Sequence, residues 1–309
     1  MTQTPARAAA PVLGTAGAAG WVSPGGAPAG RPGTLRRHLR RGPIRLAITL
    51  LVLVEVVPLI WLLLSSLKAD AEFSSRPMWA LPLGLHWQNY TYAWTTGMGT
   101  YFRNSVLAVF PALALIIIFS VAAGFALEVM RWRGRSLILL MFLAGIMVPL
   151  QMVLLPLFTI YFKINLINTL WALIITYTAF GLPLSVFLMA GYYKAVPKEL
   201  FDAAAIDGAD IYQAFWKIGL PMMRNAIVTI ALVQFFFLWN DLLFSLTFIS
   251  SDNLRTIQTG LLNFVGQYGQ VQWGPTFAAV CMAVFPTLAV YLMLNQRVMK
   301  GLTAGSLKG

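Results

Sequence analysis

Glu199–Pro221 reads ELFDAAAIDGADIYQAFWKIGLP, a charged, alanine-rich segment containing a turn, set in a chain that is otherwise largely apolar. Hydrocarbon has no use for such a segment, so it faces water. Its local grammar is helical. Pro197 precedes a helix start, where a missing N–H is harmless. Glu199 and Asp202 fall in the first turn, where carboxylates complement the helix dipole. Ala203, Ala204 and Ala205 follow, and Gly208 supplies a break. A second short helix is expected over Asp210–Lys217, with Ile211, Phe215 and Ile218 at helical spacing, and Pro221 starts the next descent. Two short helices around a glycine elbow make a compact knob. A plain surface loop and a docking element for another protein both fit these residues.

Outward from the knob, the chain is a membrane protein. Of its 309 residues 59% are hydrophobic and only 10% charged, against about a quarter charged in a soluble domain. Spanning the hydrocarbon takes roughly 20 apolar residues, and six stretches qualify: about 44–67, 105–130, 136–160, 169–191, 224–248 and 275–296. The expected fold class is therefore all-α and polytopic, with six transmembrane helices. Pro58, Pro111, Pro149, Pro156, Pro183 and Pro286 lie inside these stretches, where neighbouring helices can satisfy the freed carbonyls. The first stretch has a basic front and a cleavage-like Ala69-Asp70-Ala71. Its apolar run, Leu46–Leu64, exceeds the about 7–15 residues of a signal-peptide core, so it reads as a true span. Residues 1–34 lack the bulky apolar groups that would offset ordering entropy. With the basic cluster Arg31, Arg36, Arg37, Arg40, Arg41 and Arg45, residues 1–43 are expected to be a disordered cytoplasmic tail ahead of a membrane domain at 44–309.

The net charge of +12 is spread between apolar runs rather than gathered in a stripe. That pattern writes membrane topology and argues against nucleic acid. With the N-terminus inside, the cytoplasmic segments hold the Arg31–Arg45 cluster, Arg131, Arg133, Arg135, Lys194, Lys198, Lys217, Arg224, Arg297, Lys300 and Lys308. The outer segments hold only Lys68, Arg76, Arg103, Lys163 and Arg255. Both termini and the 194–221 loop are thus expected in the cytoplasm. Trp79, Trp87, Tyr90, Tyr92, Trp94, Tyr101, Tyr268 and Trp273 sit in outer segments, where an interfacial aromatic belt is the first expectation. Asn253–Trp273 is amphipathic and is a candidate for partial re-entry from the outer face.

Ionisable groups inside spans invite functional hypotheses. Glu55 is expected to face the bundle and pair with a neighbour, and Glu128 to pair with Arg131 one turn on. Asn240 and Asp241, with Gln234 and Trp239 on the same stretch, are candidates for lining a passage. Contact with a partner subunit is the alternative. From Arg224, Asn240 lies about 24 Å along a helix, in the outer half of the bilayer. No catalytic set is recognisable. The chain has no Gly-Lys pair and hence no phosphate-cradling loop for ATP. His38 and His86 stand alone, so no metal site is expected, and lone Cys281 has no partner for a disulfide.

One motif now stands out. Asp202-Ala203-Ala204-x3-Gly208, nine residues, then Ile218-x-Leu220-Pro221 resembles the EAA loop of binding-protein-dependent ATP-binding-cassette importers, with Asp202 where the pattern has Glu. Asn89-Tyr90-x3-Trp94, Tyr101-Phe102-x-Asn104-Ser105, Trp239-Asn240-Asp241, Gly266-Gln267-Tyr268 and the ending Gly301–Gly309 extend the resemblance. It is nearest to the maltose-transporter permease family of carbohydrate importers. The resemblance implies a multi-pass subunit of the bacterial inner membrane with six helices. It implies a second, non-identical permease, two cytoplasmic ATPase subunits and an external solute-binding protein as partners. It implies no cofactor on this chain, since ATP is used by the ATPases. It also implies that Glu199, Asp202, Ala203, Ala204, Gly208, Ile218, Leu220 and Pro221 couple the spans to the ATPase. An ion-coupled secondary transporter is the rival. It would be expected to show internal repeats and more intramembrane charges, and it leaves Glu199–Pro221 unexplained. A membrane-embedded enzyme lacks any catalytic set.

Overall fold

The computed structural model describes residues 34–264 and 271–306, with side chains over 43–264 and 271–293. The chain divides into two units, residues 1–56 and 57–309. In the first unit α1 (Thr34–Ser65) begins within the basic cluster and continues into the second. Residues 34–43, expected in the tail, are therefore helical, and residues 1–33 lie outside the described ones. Residues 44–57 along α1 are exposed and apolar apart from Arg45, Thr49 and Glu55; Glu55 is exposed and makes no ion pair among the described residues, against the expectation that it faces the bundle and pairs.

The second unit holds the remaining elements. They are α2 (Asp70–Ser75), α3 (Gln88–Ala93), α4 (Gly99–Glu128), α5 (Arg135–Ile146), α6 (Leu150–Lys163), α7 (Leu170–Lys194), α8 (Glu199–Ile206), α9 (Ile211–Ala214), α10 (Leu220–Met222), α11 (Arg224–Trp239), α12 (Leu243–Phe248), α13 (Ile257–Gly260) and α14 (Trp273–Ser306). All the described elements are helical. Among the described residues four helices are long and apolar enough to cross a membrane, or up to six if each of two bent pairs counts as one span.

One bend and one helix break correct two of the expected spans. The 136–160 stretch is not one helix: α5 and α6 meet at 98°. Pro149 stands in extended backbone just before α6. A proline pushes the residue before it out of the helical region and offers no N–H of its own. The other span prolines, Pro58, Pro111, Pro156, Pro183 and Pro286, are carried inside helices. The 224–248 stretch also breaks, because α11 stops at Trp239. Asp241 takes over there, its carboxylate accepting from the Phe244 and Ser245 amides at 3.2 and 3.1 Å. A side chain that satisfies the backbone in this way competes with continuing the helix. At the other end, the 105–130 span is longer than expected. From Gln88, α3 passes through a π turn at Trp94–Met98 into α4, with a kink at Gly97.

Apolar burial drives little association when lipid is the alternative environment, so close packing and hydrogen bonds hold such bundles. α4 and α7 run parallel and touch where side chains are missing. A Cβ on Gly181 would lie 2.4 Å from Ile116, and one on Gly124 would lie 2.7 Å from Met189. One buried cluster, around Tyr177, Phe235, Trp239, Phe244 and Phe248, fills the end toward α12 and α13. A second, around Val121, Phe125, Met189, Tyr193 and Ile230, fills the end toward α8 to α10.

Candidate functional site

The knob is assembled by two caps set back to back. α8 ends with Gly208 at φ +81°. The Gly208 amide donates to the Ala205 carbonyl at 3.1 Å and the Ala209 amide to Ala204 at 2.9 Å, the paired bonds of a Schellman stop. That stop needs a left-handed residue, which explains a glycine four positions after Ala204. Space is not the reason, since nothing lies within 4 Å of where its Cβ would be. Two residues later Asp210 restarts the chain as a helix, its carboxylate accepting from the Gln213 amide at 2.7 Å. The second helix is not the single run expected over Asp210–Lys217. α9 passes through a π turn at Phe215–Gly219 into α10, and α11 leaves at 66°.

Of the coupling residues named from the motif, Glu199, Asp202, Ala203, Gly208 and Pro221 are exposed, while Ala204, Ile218 and Leu220 are half-buried. The knob also presents Ile206 at 86% exposure, Tyr212 at 75% and Trp216 at 62%. Carboxylates at Glu199, Asp202, Asp207 and Asp210 stand exposed among them. This apolar surface is thus interspersed with carboxylates, and exposed apolar patches rimmed by polar groups mark contact sites.

An aromatic cluster that sequence did not single out ties the knob to the spans. The Phe125 ring on α4 makes edge contacts with Tyr193 on α7, Phe201 on α8 and Phe215, with centroids 5.7, 5.8 and 5.2 Å away. Gly219 admits the same ring, since a Cβ there would lie 3.0 Å from it. Phenylalanines in apolar runs carry no mark that separates a linchpin from filler; only their convergence does.

The passage candidates separate. A cavity of ≈ 280 Å³ lies between the α5–α6 bend, α7 and α11, and Gln234 and Asp241 line it beside Tyr177 and Phe180. Both polar groups are already engaged. Gln234 Nε2 donates to the Gly181 carbonyl at 3.1 Å and to Ser185 Oγ at 2.9 Å. Tyr177 donates its hydroxyl to Asp241 Oδ2 at 2.8 Å. Trp239 is not on this wall: it is buried, with Nε1 donating to the Ala283 carbonyl at 3.1 Å. Asn240 is exposed and bonds back to the Phe236 carbonyl at 2.9 Å. Glu128 does not pair with Arg131, since the ion pairs among the described residues are Arg76–Glu72 and Arg255–Asp252.

The opposite end is pinned by long-range bonds. Asn104 donates to the carbonyls of Asn253 and Arg255 at 2.9 and 3.0 Å, and Ser105 Oγ accepts from the Ile257 amide at 2.9 Å. Asn168 accepts from the Ser250 and Ser251 amides at 3.2 and 2.9 Å. Glu72 accepts from the Ala69 and Leu83 amides, both at 3.0 Å. Burial works to raise the Glu72 pKa. Those two amides, with the charges of Arg76 and His86, outweigh it and hold the carboxyl below its ordinary value. Trp79, Trp87, Tyr92, Trp94 and Trp273 at this end are exposed, as a belt requires, whereas Tyr101 is buried. Tyr268 lies outside the described residues. Asn253–Trp273 contains short helical turns up to Phe264.

Residues 116–298 match the family model described as binding-protein-dependent transport system inner membrane component. A probable ABC transporter permease protein of Bacillus subtilis is 32% identical over 252 residues, covering 82% of this chain and 83% of that protein. The diacetylchitobiose uptake system permease protein of Streptomyces coelicolor is 32% identical, over 82% of this chain and 85% of its own. The trehalose/maltose transport system permease protein of Thermococcus litoralis is 30% identical, over 88% and 98%. In fold, the chain is similar to one from a bacterial ABC transporter that imports the acidic polysaccharide alginate. The TM-score is 0.75 at 19% identity, with 86% of this chain and 99% of that one covered.

Proposed function

The chain belongs to the family of binding-protein-dependent transport system inner membrane components, and from that premise we propose how its parts divide the work of an ATP-driven importer. It is a multi-pass permease subunit of the cell membrane. The family match decides against the ion-coupled rival. Its cargo is a sugar or oligosaccharide, a reading supported by relatives named for diacetylchitobiose and for trehalose and maltose.

The bent pair α5 and α6 serves as one span and α11, without the α9–α10 segment ahead of it, as another, giving six, with both termini in the cytoplasm as the Lys and Arg bias directs. The chain hydrolyses nothing and binds no cofactor. ATP is used by two partner ATPase subunits, an external binding protein delivers the solute, and a second, non-identical permease completes the passage. Residues 194–221 are the coupling loop. The observation that carries this is the water-facing apolar elbow capped by Gly208 and Asp210. Ile206 and Tyr212 fill a groove of the ATPase, Glu199 and Asp202 face its basic groups, and Phe125 passes its displacement to α4 and α7. Such transmission needs rigid contact at both ends of the knob.

Gln234 and Asp241 belong to the cargo path as wall residues of the cavity, and Trp239 and Asn240 support it from outside. Co-purification of the detergent-solubilised chain with its ATPase tests the coupling reading. The wild type retains the ATPase and Gly208→Asp releases it; failure of the wild type to hold any ATPase overturns the reading. For the path, Asp241→Leu with Asn240→Ala is expected to abolish uptake while the complex still assembles. Unchanged uptake would remove both residues from it.

A further inference from the structure

A second cavity, ≈ 110 Å³, opens at the knob end of the bundle, and the scheme above gives its basic wall residues no role. Its volume is well above the ~15 Å³ that a single water needs. Its walls include Arg131 from the α4–α5 turn, Arg135 from the start of α5, Lys194 from the end of α7 and Lys198 just before α8. Glu128 and Asp202 are the acidic members, so the walls carry an excess of positive charge. Among the described residues none of the four cations has a carboxylate within the 4.0 Å of an ion pair, the pairs being Arg76–Glu72 and Arg255–Asp252.

An independent observation points to a ligand. Tyr193, another wall residue, is 2% exposed, and its hydroxyl has no hydrogen-bond partner among the described residues. A buried hydroxyl without a partner costs about 1–3 kcal/mol, and an acceptor in the cavity would remove that cost. The surroundings fix the depth. Trp132 and Met130, in the same turn as Arg131, are partly exposed, and an exposed tryptophan beside arginines is the composition of a membrane–water boundary.

We propose that this cavity binds a phosphate-bearing anion, and that its source is the headgroup of an anionic phospholipid in the cytoplasmic leaflet. Guanidinium and ammonium groups supply charge-assisted bonds to phosphate oxygens, and Tyr193 donates its otherwise idle hydroxyl. Because Asp202 and Phe201 of the coupling loop share the walls, an occupied cavity steadies the knob against the spans. The proposal rests on the orientation adopted above, but lipid retention is read without reference to ATPase docking, so the two fail separately.

The test is native mass spectrometry of the transporter complex purified from membranes of phosphatidylglycerol and phosphatidylcholine. Wild type is expected to retain phosphatidylglycerol in preference to phosphatidylcholine. Arg131→Gln with Arg135→Gln weakens retention roughly 30-fold, at about tenfold per 1.4 kcal/mol and ~1 kcal/mol for each basic group. Tyr193→Phe weakens it by up to about tenfold. An unchanged elution profile confirms that the variants fold. Radiolabelled inorganic phosphate separates the sources. Phosphate that displaces the lipid supports a phosphate-selective site. Phosphate bound without any retained phosphatidylglycerol overturns the lipid assignment. Equal lipid retention by wild type and the double variant, with no phosphate bound, overturns the proposal as a whole.

Discussion

The two ends of the second unit solve the same problem, connecting helices outside hydrocarbon, in opposite ways. The end carrying Asn104, Asn168 and Glu72 closes on itself: buried side chains reach across 149 to 151 residues of sequence, in the case of Asn104, to satisfy loop backbone. The knob end closes its backbone locally, through the Gly208 stop and the Asp210 start, and leaves Ile206, Tyr212 and Trp216 uncovered. One end is satisfied by bonds within this chain, and on the proposed function the other is completed by a partner. Substitutions at the first should therefore damage the fold, and substitutions on the knob's outer face should damage coupling while sparing the fold.

Phe125→Ala is the largest expected effect, because it joins the two categories. Removing the ring empties the contact with Tyr193, Phe201 and Phe215. The expected loss is about 3 kcal/mol, the lower end of the soluble range, since lipid contributes little transfer penalty. Thermal unfolding in detergent reads it, and ATPase coupling falls with it. An unchanged melting temperature would remove Phe125 as the anchor.

Asn104→Ala comes next. It leaves the Asn253 and Arg255 carbonyls without their donor, at a cost of about 2.5 kcal/mol, again by thermal unfolding, while folded protein still holds its ATPase. Loss of ATPase binding at intact fold would blur the comparison between the two ends.

Glu72→Gln is smaller, about 1.5 kcal/mol at neutral pH, for one lost charge-assisted bond. It carries a pH signature. The Glu72 carboxyl is held below its ordinary value in the folded chain. Its contribution is therefore fully present above the unfolded carboxylate pKa and is lost as pH falls through the folded one. The gap in melting temperature between wild type and Glu72→Gln should narrow in acid; a constant gap would contradict the assignment. Gly208→Ala is the smallest, about 1 kcal/mol of left-handed strain, visible as a small fall in melting temperature, with a larger loss of ATPase affinity as the elbow angle changes.

Sequence revealed these ends unequally. The knob was legible because its signals are local: first-turn acids, a glycine stop and a proline exit all lie within Glu199–Pro221. The apolar spans were legible as composition, but their breaks were not. Pro149 looks like Pro111 or Pro183 in a list, yet only Pro149 stands at a bend. Asp241 reads as a passage candidate from its place in an apolar run, but nothing local in sequence shows that its carboxylate also caps α12. Asn104 and Ser105 could be quoted as a motif, but their partners at 253–257 are too distant in sequence for any periodicity to connect them. The Phe125 cluster was invisible for the same reason.

The most direct measurement is ATPase retention and stimulation by the reconstituted transporter carrying Ile206→Asp with Tyr212→Ala. Both side chains lie on the uncovered face of the knob and hold nothing else in place. A docking knob predicts an unchanged melting temperature together with loss of ATPase retention and of solute-stimulated hydrolysis. Full retention and normal stimulation in that variant would contradict the coupling role of Glu199–Pro221.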